Sequence, residues 1–103
     1  MSSTRISKSG QVSTLESKLY VVPRGNTLDF QSLRFNNAKA YTLTVSKYTE
    51  ATKNSAVLYT LNLSAGDTVT DNFPYYLDEG DYLTAISSIS GTHYTIVGTQ
   101  NSK

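Results

Sequence analysis

The feature that most limits what this chain can become is a period of two. In Ala40–Tyr48 (AYTLTVSKY), Tyr41, Leu43 and Val45 alternate with Thr42, Thr44 and Ser46. Successive strand side chains leave on opposite faces, so this pattern describes a half-buried strand. Val57–Leu63 (VLYTLNL) alternates again and places Val57, Tyr59, Leu61 and Leu63 inward. No segment of ten or more residues keeps helical spacing. Composition agrees: Ser and Thr number 14 each, Tyr numbers 8, and charged residues make up only 17%. Such a mixture suits a pleated surface with one face covered.

The other strands are shorter. Lys18–Val22 (KLYVV) is stopped by Pro23 and an Arg24-Gly25-Asn26 turn. Thr27–Asn36 (TLDFQSLRFN) alternates with a change of parity. Leu28 and Phe30 share one face, Leu33 and Phe35 the other, and a bulge near Gln31–Ser32 would bring all four together. Asn36-Asn37 then makes a turn, and Thr49–Ala56 reads as a loop. Ser64-Ala65-Gly66-Asp67 is a turn, Thr68–Thr70 a short strand, and Asp71-Asn72-Phe73-Pro74 a break. Tyr75–Leu77 enters a further turn, Asp78-Glu79-Gly80-Asp81. Tyr82–Ser88 and His93–Gly98 read as a hairpin around Ser90-Gly91. About eight short strands with regular turn signals predict an all-β fold, an antiparallel jelly-roll-like β-sandwich in preference to a small barrel. A single sheet would leave the inward Tyr, Leu and Val positions uncovered.

A chain of 103 residues fits one domain. The sandwich is expected over residues 18–98. Residues 1–17 are polar with isolated Ile6, Val12 and Leu15, and read as a flexible or partner-bound arm; residues 99–103 read as a frayed tail. Residues 1–18 contain no apolar core of a secretory signal, and no run of ~18 apolar residues could span a membrane as a helix. Charge is divided along the chain. Residues 1–53 carry eight basic and three acidic residues, and residues 54–103 carry one basic and five acidic. The bland reading is solvated loops; the alternative is a basic and an acidic face suited to head-to-tail association. A net charge of +1 lacks the basic footprint of nucleic-acid binding.

One local echo stands out. Residues 63–70 and 77–84 share the pattern L-x-x-G-D-x-[V/L]-T, offset by 14 positions. Gly66 and Gly80 are placed for a turn that needs positive φ, and Asp67 and Asp81 are placed to accept turn amides. A structural role suffices for both. Asp67, Asp71, Asp78, Glu79 and Asp81 also suggest a calcium site, since Ca²⁺ takes hard oxygen ligands, but their spacing does not match an EF-hand loop.

Catalytic signals are sparse. The chain has no cysteine, so it holds no disulfide and no thiolate metal site. His93 is the single imidazole, and it reads as an exposed strand histidine. Pairing it with one of the many Ser and Asp residues carries no specificity. No enzyme activity and no cofactor are expected. The eight tyrosines read mainly as core, with Tyr75, Tyr76 and Tyr82 as candidates for an interface or a carbohydrate-binding surface.

From Leu19 to Gly98, about four-fifths of the chain, the sequence resembles small β-sandwich virion proteins of tailed bacteriophages. The residues that carry the likeness are Ser32-Leu-Arg-Phe-Asn36, Tyr-Thr-Leu-Thr-Val (41–45), Leu-Tyr-Thr-Leu-Asn-Leu (58–63), Ala-Gly-Asp (65–67), residues 75–85 and Tyr-Thr-Ile-Val-Gly (94–98). The resemblance implies a non-enzymatic component of the particle, such as a capsid decoration, neck or tail protein. It supplies no catalytic residues. With it comes the expectation of a homo-oligomer that attaches to other virion proteins (capsid, portal or tail), away from membranes. A small sandwich gains from burying its edge strands against copies, and Ile6, Val12 and Leu15 could lie along a neighbour as an added strand. A carbohydrate- or receptor-binding module on the virion is the alternative.

Overall fold

The computed structural model describes residues 3–72 and 75–103, and these form strands, turns and loops without a helix. The strands are β1 (Ser3–Val12), β2 (Ser17–Val21), β3 (Asn26–Asn36), β4 (Tyr41–Thr49), β5 (Asn54–Leu63), β6 (Thr68–Asp71), β7 (Tyr76–Leu77), β8 (Tyr82–Ser87) and β9 (Thr92–Ser102). Phe73 and Pro74, part of the expected break after β6, lie outside the described residues.

The strands pair as a nested hairpin. β4 pairs β5, β3 pairs both β6 and β7, β2 pairs β8, and β1 pairs β9, all antiparallel. The tip of this long ribbon is the turn at residues 50–53. Rolling the ribbon adds the β3–β9 and β4–β8 pairs. Two sheets result, one in the order β1-β9-β3-β6 with β7 also on β3, the other β2-β8-β4-β5. This is a jelly-roll β-sandwich, and its apolar faces meet between the sheets.

The parity change in β3 is accommodated as its sequence requires. The β3–β9 register shifts between Phe30 and Ser32, leaving Gln31 as the extra residue. Leu28, Phe30, Leu33 and Phe35 are therefore all buried, facing Leu43, Val45 and Leu83 of the other sheet's strands in one core. A bulge brings the backbones close, and β9 answers with glycine. A Cβ on Gly98 would lie 2.9 Å from the Asp29 carbonyl oxygen and 3.2 Å from Leu28 Cδ1.

Several segments depart from the sequence expectation. Residues 3–12, expected as a flexible or partner-bound arm, form β1 on the chain's own β9. Thr4, Ile6, Lys8, Gly10 and Val12 share the face of Tyr94, Ile96 and Gly98, and Val12 is buried. Gly10 fits beneath the Tyr94 ring, where a Cβ would come within 3.0 Å of Cε1. Only this inner face needs apolar groups at an edge strand, so Ser3, Arg5, Ser7, Ser9 and Gln11 on the other face disguise the strand as a polar arm. Residues 99–102 likewise continue β9, held between β1 and β3, instead of fraying.

Ser90-Gly91 joins β8 to β9, but these strands lie in different sheets, so the link is a sandwich corner and not a hairpin turn. Asn54–Ala56 belong to β5 and not to a loop. A second register shift, between Val45 and Ser46 of β4, inserts Leu58 on the β5 side. Tyr59 and Leu63 pack against the core as expected, whereas the shift turns Val57 outward, 64% exposed, and Leu58 packs in its place.

Gly98→Ala tests the bulge packing. The added methyl meets a backbone carbonyl that cannot rotate away, so a loss of about 1–3 kcal/mol is expected. Gly66, whose virtual Cβ meets nothing within 4 Å, pays only for its positive φ of 79°. Thermal unfolding should therefore show Gly98→Ala with the larger drop in Tm, and equal drops would contradict the close approach.

Candidate functional site

The repeated L-x-x-G-D segments are built alike. In the first, Asp67 N–H donates to Ser64 O at 3.1 Å, and Ser64 N–H donates to Asp67 Oδ2 at 3.1 Å. In the second, Asp81 N–H donates to Asp78 O at 3.0 Å, and Asp78 N–H donates to Asp81 Oδ2 at 3.0 Å. Gly66 and Gly80 occupy the third position with φ of 79° and 80°, which glycine reaches without the penalty other residues incur. Each glycine N–H donates to a carbonyl of another loop, Gly66 to Asn37 O and Gly80 to Val22 O, both at 3.0 Å. Each turn carries the chain from one sheet to the other: β5 to β6 in the first case, β7 to β8 in the second. The motif is a device for turning the sandwich edge.

The two turns sit at opposite ends of the sandwich. The first lies beside the start of β4, where Tyr41 pairs with Leu63; the second contacts Glu50, just beyond the end of β4. The acidic residues clustered in sequence are thus divided in space. Their oxygens are also occupied. Asp81 is buried and accepts Glu50 N–H at 2.8 Å as well as Asp78 N–H. Among the described residues, no three His, Cys, Asp or Glu side chains are placed to hold a metal ion.

Around the second turn the last residue acts as a clamp. Lys103 Nζ lies 2.9 Å from Asp78 Oδ1 and 3.2 Å from Glu79 Oε1, and Lys103 N–H donates to Gly25 O at 2.9 Å. Glu79 Oε2 accepts Gly25 N–H at 2.8 Å. The Gly25 amide first, then Lys103, holds Glu79 below the usual carboxylate range. Lys103 first, then the Glu79 amide, lowers Asp78. An open cleft of about 450 Å³ beside this turn is lined by Arg24, Glu50, Glu79 and Gly80.

At the other end Asn37 does comparable work. It is buried, its Nδ2 donates to Ser90 O at 3.1 Å and Thr92 Oγ1 at 2.8 Å, and its Oδ1 accepts Lys39 N–H at 3.0 Å. Together with Gly66 N–H on its carbonyl, Asn37 ties three loops. Read from sequence, it was only part of an Asn-Asn turn; Lys103 and Asn37 carry no local signal because their partners lie far along the chain. An open cleft of about 600 Å³ at this end includes Lys39, Gly91 and His93. His93 is exposed on the outer face of β9, opposite Gln11 and Asn36.

The expected interface residues are dispersed. Ile6 and Val12 pack into the chain's own core, and Leu15 is 76% exposed in the β1–β2 link. Tyr75 packs edge-on against Phe30 and donates from its hydroxyl to Asp71 Oδ2 at 3.1 Å. Burial, and then the Asp71 bond, pushes the Tyr75 hydroxyl up to about 12. Tyr76 is exposed on β7. Tyr82 stacks on Tyr48 at 4.5 Å on the other sheet, with Lys18 Nζ over its ring at 4.5 Å. The three tyrosines form no common platform.

No family model matches the chain, and no curated protein matches it. Solved structures share its fold. A chain from Bacillus endospore appendages, described as disulfide-linked pili, superposes with a TM-score of 0.54 at 7% identity, over 98% of this chain and 87% of that one. A chain from infectious bursal disease virus, Gx strain, superposes with a TM-score of 0.52 at 11% identity, over 96% of this chain. There this chain spans 32% of the viral chain. At these identities the likeness is one of fold.

The clamp makes a titration prediction. A depressed carboxylate stabilises the fold above its ordinary pKa, and that contribution disappears as pH falls through the folded value. In Lys103→Met, Asp78 should titrate higher by carboxyl-carbon NMR, while Glu79, still bonded to Gly25 N–H, should move less. Unchanged Asp78 titration would contradict the clamp.

Proposed function

We propose that this chain is a non-enzymatic structural protein of a phage particle, which assembles with copies of itself and attaches to other virion proteins in a decoration, neck or tail position. The observation that carries the reading is the rolled-ribbon sandwich, matched over almost the whole chain by a chain of a pilus and by part of a chain of a virus. The distribution of polar chemistry supports it. The best-organised polar groups, at Asn37, Asp67, Asp78, Glu79 and Asp81, bond to turn amides and loop carbonyls and so hold shape. Among the described residues, the His93 side chain has no hydrogen bond to a Ser hydroxyl or a carboxylate that would mark a nucleophile and its base. The sequence resemblance to tailed-phage virion proteins narrows the particle to a virion. Unlike disulfide-linked pili, these 103 residues contain no cysteine, so disulfides do not join copies of them.

The purified protein should scatter light as a multiple of 11.3 kDa, and its peptides should be found by mass spectrometry in particles purified from the source that carries the gene. A constant 11.3 kDa mass at every concentration, together with absence from particles, overturns the reading.

A further inference from the structure

A sandwich of two open sheets exposes four strand edges, and exposed edges pair with other chains unless something blunts them. Three edges here are blunted. β1 carries Arg5 and Lys8, and Lys8 lies on its inward-facing side with Nζ 5.9 Å from the Tyr20 ring. β2 has five residues, a register shift between Lys18 and Tyr20, and Pro23 just beyond. β6 and β7 are four and two residues long.

β5 differs. It runs for ten residues, Asn54–Leu63 (NSAVLYTLNL), without a charge, a glycine or a proline. Within the described residues no strand pairs with its outer side, because β5 ends the sheet order β2-β8-β4-β5. Val57 is 64% exposed, and Leu58, Tyr59, Leu61 and Leu63 are only half-buried. The other exposed large apolar residues, Leu15, Val21 and Tyr76, sit in a link or at strand ends.

We propose that β5 is a dimer interface, pairing antiparallel with β5 of a second copy across a two-fold axis. Resting on the reading of an assembling subunit, it names the surface by which two copies first meet. An antiparallel pair of identical strands is self-complementary and closes as an isologous contact. Charge selects this pair. Two β5 strands bring no like charges together, whereas two β1 strands would bring the Arg5 and Lys8 of one copy beside those of the other with no acid in either strand. The union makes one eight-stranded sheet from the two β2-β8-β4-β5 sheets and covers the half-buried side chains of both edges. The bulge at Leu58 limits growth: it bends each strand and favours a closed pair over open-ended stacking.

Val57 and Thr60 are exposed and on the outer face, so charge added there disturbs the monomer little. Light scattering should show wild-type dimers. The double variant Val57→Lys/Thr60→Lys should raise the dimer Kd at least about tenfold, with an unchanged circular dichroism spectrum, while Ser7→Lys on the β1 edge leaves Kd unchanged. The absence of cysteine allows a second measurement that keeps the edge uncharged: a spin label on Thr60→Cys should lie closer to its twin than the ~34 Å length of a ten-residue strand. Dimers that survive the double variant, or Thr60 labels farther apart than that length, overturn the β5 interface while leaving assembly itself intact. A wild-type protein that stays monomeric overturns the interface, and together with absence from particles it overturns the assembling subunit as well.

Discussion

The core depends on the bulge at Gln31 in β3. Without it, Leu28 and Phe30 would face one side of the sheet and Leu33 and Phe35 the other, because strand parity is two. With it, four large side chains of one strand are 0–1% exposed and meet Leu43, Val45, Leu83 and Ile96 in one layer. Fully burying one such side chain contributes about 1.5–3 kcal/mol, so exposing two of them would remove a large share of the about 5–15 kcal/mol that holds a domain folded. Gly98 is the counterpart of that bulge on β9, and β9 in turn carries β1. The sheet is thus assembled outward from one irregularity.

The second organising element is the turn that carries the chain across the sandwich edge. Both Gly-Asp turns use the same reciprocal backbone–carboxylate bonds, and both pass a glycine N–H to another loop. The ion pairs do not bridge the basic and acidic halves of the sequence. Lys53 pairs with Glu50, and Lys103 holds Asp78 and Glu79. Among the described residues these are the ion pairs; of the other seven Lys and Arg, Lys8 and Lys18 lie over tyrosine rings and Lys47 donates to the Tyr76 carbonyl. Other polar bridges cross between sheets, as where the Tyr20 hydroxyl of β2 donates to Gln100 of β9.

The legible part of the fold was its local part. Alternation identified β4, the inward face of Tyr41, Leu43 and Val45, the bulge in β3 and both Gly-Asp turns, because each depends on neighbours along the chain. What escaped depends on distant partners. β1 is an edge strand whose outer face looks into solvent, so its sequence shows only two apolar side chains, Ile6 and Val12, on the face it shares with a strand far along the chain. Val57 and Leu58 exchanged faces because the bulge answers the β4 register, which β5 does not encode by itself. The corner at Ser90-Gly91 resembled a hairpin because glycine with φ of 88° serves both. The candidate site residues fared similarly. Gly66, Asp67, Gly80 and Asp81 lie in turns of the expected form, whereas Tyr75, Tyr76 and Tyr82 were separated by a topology that no spacing reveals.

The account stands on the strands β1 to β9 folding as one rolled ribbon, with β1 part of the sheet and not an appendage. Native-state amide hydrogen exchange resolves this residue by residue. The expected result is that the β1 amides bonded to β9 are protected to a similar extent as those joining β9 to β3. Exchange at free-peptide rates across residues 3–12, with β3, β4, β8 and β9 still protected, would contradict it.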